Sequence, residues 1–350
     1  MLVRSIICRF AMGAVVLFAG APQLPSQVTS AQAIERYSAE SLWLSQAGLS
    51  MQNFVGMLEP IFDVTIALTS DAPSEESYQS QAITAIETAR SRLGMIHENA
   101  VWMIEALPDR PVTTNRLASE LIGKVGDPKM RAGELRGMSD AIISNFEASL
   151  SGDAIARDQG LLAVVALLDE LALINDFVVE IEAAHVEGGH PIMVHALRAD
   201  KESLRSIVRV RQLEFTMGLS APGDAVGQAT AALVESVKGM RTESDRAVRE
   251  IAAYKRQMAG NPYFSEREKK LLKEYQDTEE VRARFVSAMG SVIYQSTRPD
   301  IDPDALSGSM EKAFALVPYM DPAHRESEKS RGRSAMPPPD TGAAEGSANL

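Results

Sequence analysis

Residues 223–258, GDAVGQATAALVESVKGMRTESDRAVREIAAYKRQM, carry the reading that decides the fold. Val226, Thr230, Leu233, Val237, Met240, Ser244, Ala247, Ile251, Tyr254 and Met258 recur at intervals of three and four. Side chains at those intervals line one face of an α-helix and fit no strand. Ser220-Ala-Pro-Gly223 interrupts the chain before the stripe, and Gly260-Asn-Pro262 turns it afterwards. Ser265 and Glu268 then have the spacing of a capping box, and Leu271, Leu272, Tyr275, Phe285, Met289 and Val292 mark a returning helix. The loop is so short that 223–258 and 265–296 are predicted to pair as an antiparallel hairpin.

The same spacing extends in both directions. Upstream, Leu44, Ala47, Met51, Phe54, Leu58, Ile61, Thr65 and Leu68 form a stripe that Pro60 bends or divides. Ala82, Ile86, Ala89, Leu93, Ile96, Ala100, Met103 and Leu107 form a cleaner one, stopped by Pro108-Asp-Arg-Pro111. Residues 114–123 read as a short helix, and Asp127-Pro128 as the cap and first-turn proline of the next. Leu135, Met138, Ile142, Phe146 and Leu150 define the inward face of that helix. Ser151-Gly-Asp153 then ends it and caps a run, Leu161–Ile174, that is apolar on nearly all sides and is expected to be the most buried helix. Another helix starts near Pro191 and runs to about Leu219. Downstream, Asp302 caps a helix at 304–317 that opens on Pro303. Past Asp321, Ser, Gly, Glu, Pro and Ala dominate, and residues 322–350 are expected to be a disordered tail.

The predicted fold is therefore all-α: an elongated antiparallel bundle of about seven helices, in one piece or as two packed sub-bundles. The segments are 1–33, a signal peptide; 34–187, an N-terminal helical region; 188–321, a C-terminal helical region divided from it at Gly188-Gly189; and the tail.

The signal reading rests on Arg4 and Arg9 ahead of the apolar run Met12–Gly20, with Ala31-Gln-Ala33 offering small residues for cleavage. It places the chain in a bacterial periplasm, the alternative being an amino-terminal anchor facing the same compartment. Cleavage would also remove Cys8, the sole cysteine, and with it any disulfide or thiolate chemistry. No membrane span is expected after cleavage.

Composition narrows the function. With 35 basic against 47 acidic side chains the formal charge is −12, which repels a phosphate backbone, so nucleic acid is not an expected partner. Neither a Gly-x-Ser-x-Gly elbow, nor a His-Glu-x-x-His helix, nor a phosphate-binding loop occurs. Adjacent acids such as Glu279-Glu280 read as solvated positions, since neighbouring side chains on a helix point apart.

Two clusters stand out. Glu182 and His185 have the spacing that places a carboxylate and an imidazole on one helical face, and His190 and His195 follow across Gly188-Gly189. Folded tightly, these residues are candidate zinc or copper ligands, although no cofactor is expected on the leading reading. Arg198, Lys201, Arg205 and Arg209 follow intervals of three and four and form a basic stripe, a candidate contact for an acidic partner, for anionic lipid headgroups or for acids of neighbouring helices. The leading expectation is a non-catalytic exported scaffold or adaptor for an envelope or periplasmic protein. A metal-binding protein or metalloenzyme at the histidines is one alternative. A small-ligand sensor with Trp43 or Trp102 lining a cavity is another.

Overall fold

The computed structural model describes residues 80–91, 94, 128–151, 153–186, 191–261 and 263–334. The expected leader, the stripe at 44–68 and the short helix at 114–123 lie outside these residues. Every regular element among them is helical, as the three-and-four spacing requires. After a helical stretch at 80–91 the order is α1 (Pro128–Ser149), α2 (Ala154–Val186), α3 (Pro191–Met217), α4 (Ala225–Met258), α5 (Glu266–Ser296), α6 (Pro303–Leu316), a 3-10 turn (Val317–Met320) and α7 (Pro322–Ser330).

The described chain packs as two compact units. One holds the residues up to Ile181 with Glu214–Gly223; the other holds Glu182–Leu213 with the residues from Asp224 onward.

In the first unit Ala82, Ile86 and Ala89 are buried, so the described part of the 82–107 stripe faces inward as its spacing predicts. Leu135, Ile142 and Phe146 are the buried face of α1. Asp153 caps α2: its Oδ1 accepts from the backbone N–H of Ile155 at 2.9 Å and of Ala156 at 3.1 Å. Gly160 lets α2 approach α1 closely. A Cβ there would lie 2.6 Å from the fully buried Phe146 ring.

The expectation that α2 is the most buried helix is corrected. Ala156, Leu161, Val164, Leu167, Leu168 and Ala172 are buried, but Ile155, Gln159, Leu162, Ala166 and Asp169 form an exposed row at intervals of four and three. An apolar composition supplies enough hydrophobic side chains to cover one neighbour and leave others in water.

In the second unit Thr230, Leu233, Val237, Met240, Ser244, Ala247 and Ile251 are all buried, so most of the stripe that decided the fold is the inward face of α4. α4 and α5 pack together as the expected hairpin, and α6 packs on α5. The turn between α4 and α5 needs Gly260, whose φ is +84°. The capping box closes as predicted: Ser265 Oγ accepts from Glu268 N–H, and the Glu268 carboxylate accepts from Ser265 N–H at 2.8 Å. Leu271, expected inward, is exposed; Leu272 is the buried member of the pair.

The tail expectation is also corrected. Residues 322–330 are a helix, α7, in which Arg325 and Glu328 are buried. Asp321 caps it by accepting from Ala323 N–H at 2.8 Å, and Pro322 starts it. This is the device that Asp302 and Pro303 use for α6. Polar composition had hidden the repeat of that signal. Residues 335–350 lie outside the description.

Candidate functional site

The predicted metal cluster is distributed unevenly. Glu182 and His185 fall near the end of α2, while His190 lies outside the described residues. His195 sits in the second turn of α3, and its Nδ1 lies 2.8 Å from Oε2 of Glu243 on α4. Glu243 also accepts from Arg246 at 2.6 Å, so its carboxylate bridges an imidazole and a guanidinium. Among the described residues no group of three or more metal-ligating side chains converges.

The basic stripe lies along α3 and is only partly exposed. Lys201 and Arg205 flank Glu202, at 3.7 and 3.2 Å. Glu202 in turn lies over Gly239 of α4, where a Cβ would come within 3.2 Å of its carboxylate. Arg209 donates to Gln212 at 2.6 Å, and Arg198 is also engaged. Next to the stripe, Arg211 stacks 4.4 Å from the centroid of the Phe314 ring on α6.

The most concentrated chemistry lies where the sequence was read as solvated. Glu279 is buried, which corrects that expectation, and so is Arg282 one turn on. The Arg282 guanidinium donates to Glu279 on its own helix and to Asp200 on α3. Ser244 of α4 donates its hydroxyl to the other oxygen of Glu279 at 2.5 Å. Three helices thus meet on one charged cluster. Burial opposes the charge on Arg282, yet Glu279 and Asp200 outweigh it and hold the guanidinium protonated, above the ordinary arginine value. Burial, followed by the charges of Asp200 and Glu274, pushes the Tyr275 phenol up to about 12.

A neutral polar seam continues between α3 and α4. Ser206 donates to Ser236 at 3.2 Å, and Ser203 Oγ lies 3.1 Å from the Met240 sulfur.

These partners define what the cluster can do. Both oxygens of Glu279 are engaged inside the cluster, one by the Arg282 guanidinium and one by the Ser244 hydroxyl. The Ser244–Glu279 and Arg282–Asp200 bonds cross between helices, an arrangement suited to holding helices in register.

Comparison with known proteins finds no matching family model, no matching curated protein and no matching solved structure. No helix among the described residues is long and apolar enough to cross a membrane.

Proposed function

We propose that the chain is a non-catalytic helical scaffold or adaptor, exported to the periplasm, that docks an envelope protein on the exposed row of α2. The observation that carries this reading is the row itself. Ile155 is 72% exposed and Leu162 50%, and they share one helical face with Ala166. Single exposed aliphatic residues are ordinary on any surface. Aligned ones, two turns apart on a helix whose opposite side is already packed, suit the apolar anchors of a helical interface. The concentrated charges of the other unit support the same reading, because they are engaged with each other and not displayed toward a substrate. Export is supported by Arg4, Arg9 and the apolar run before Ala33.

The test places a photo-crosslinking amino acid at Ile155, at Leu162 and, as a control, at exposed Lys238, in cells of the encoding organism. The expected result is one adduct of common mass from Ile155 and Leu162, recovered with the periplasmic fraction, and none from Lys238. Adducts of equal yield from Lys238, no adduct at all, or a mass equal to two copies of the chain would contradict the adaptor reading.

A further inference from the structure

The turn that joins α4 to α5 is more than a connection. Between Lys255 and Asp277 the chain carries Lys255, Arg256, Arg267, Lys269, Lys270 and Lys273 against Glu266, Glu268, Glu274 and Asp277, a local excess of basic groups in a protein whose net charge is −12. The hairpin brings the last turn of α4 and the first turns of α5 to one end of the unit, so these charges share one tip.

Ordinary helical pairing accounts for some of them. Lys269 reaches Glu266 at 2.6 Å, Lys273 reaches Asp277 at 2.8 Å, and Lys270 lies 3.8 Å from Glu274. Lys255 donates to Gln276. Arg256 and Arg267 are exposed and have no carboxylate partner among the described residues.

Tyr263, at the point of the turn, is 89% exposed. Its backbone N–H donates to Asn261 Oδ1 at 2.9 Å. Behind it the tip has a small core of its own. Tyr254 and Phe264 meet edge to face with centroids 6.1 Å apart, and both pack against Ile192, Ile251 and Leu272. The exposed Leu271 stands one turn from Arg267.

We infer that this tip docks on an anionic phospholipid surface. The occupant follows from charge and exposure. The tip carries the exposed guanidinium groups of Arg256 and Arg267 and the exposed phenol of Tyr263. A layer of headgroups accepts such a tip without a complementary pocket. Tyrosine favours the boundary between hydrocarbon and water, and each basic group near an anionic leaflet contributes attraction that salt screens. The acidic remainder of the protein is repelled by the same surface, which orients the tip toward it. The inference is independent of the α2 row and stands whether or not that row contacts a protein.

Sedimentation of the full chain with vesicles tests it. The expected result is binding to phosphatidylcholine vesicles containing phosphatidylglycerol, weakened by added salt, and none to phosphatidylcholine alone. Arg256→Gln with Arg267→Gln should lower the partition on the order of tenfold or more, and Tyr263→Ser should weaken it further. The matched control, Lys238→Gln with Arg298→Gln, removes the same charge elsewhere on the exposed surface and should bind as the parent does. Equal binding to both vesicle types, no binding to either, or a control that loses as much as the tip variant would overturn the inference. So would binding to an acidic polypeptide such as polyglutamate without binding to vesicles, since the tip would then be reading protein carboxylates.

Discussion

Arg282→Leu is expected to destabilise the second unit by about 3–5 kcal/mol, because it takes the guanidinium from the buried Glu279 carboxylate and leaves that charge facing only the Ser244 hydroxyl. For a unit of this size that corresponds to a midpoint roughly 6–20 °C lower. Glu279→Leu together with Arg282→Leu should recover most of the loss, since a pair of apolar side chains requires no compensation in the core. Asp200, whose side chain is 38% exposed, can return to water when its partner is removed. Hydrogen exchange along α5 measures both outcomes. A single variant as stable as the parent would show that the Arg282 pairings contribute nothing to the packing of α5.

The second large effect is expected at Arg325. Its guanidinium donates to the carbonyls of Tyr319, Met320 and Glu274 at 2.6, 3.2 and 3.1 Å, and to Thr278 Oγ1 at 2.9 Å. One side chain therefore ties α7 and the 3-10 turn to α5. Burial pulls its guanidinium below the ordinary arginine value, while nearby acids, Asp277 first among them, pull it back. Arg325→Leu strands those acceptors, and hydrogen bonds to a charged group contribute roughly 1.5–3 kcal/mol each before relaxation. The expected outcome is local: amides of 322–330 lose their protection from exchange, while those of α4 and the middle of α5 keep theirs. Loss of protection throughout the unit would show that α7 is an integral part of the core and not a latched addition.

The two residues differ in how far the sequence announced them. The α5 stripe runs through Tyr275, Phe285, Met289 and Val292, with a gap in which the three-and-four intervals fall on 279 and 282. Periodicity therefore places Glu279 and Arg282 inward, but the residue types argue for solvent, and hydropathy overrode spacing. Their partners Asp200 and Ser244 lie on other helices, and no local pattern links them across that separation. Arg325 was hidden by the polarity of its surroundings, although Asp321-Pro322 repeats the start signal of Asp302-Pro303 two helices' ends later in the same unit.

By contrast, the α4 stripe, the capping box at Ser265 and Glu268, and the cap at Asp153 were all legible. Each depends on residues within one or two turns of each other. The exposed row on α2 was not, because an apolar run does not record which of its sides has a neighbour. The tip at Tyr263 was obscured for the opposite reason. Its basic residues belong to two helices, and only the hairpin gathers them.

The central claim is that the buried charges of the second unit hold helices in register while recognition takes place on the outer surface. Crosslinking from Leu162 in the Ser244→Ala, Glu279→Leu, Arg282→Met background tests it most directly, with hydrogen exchange confirming that α3, α4 and α5 remain folded. Retention of the same adduct at the parental yield is the predicted result. Loss of the adduct from a protein whose helices exchange as the parent's do would show that those charges take part in function and would contradict the claim.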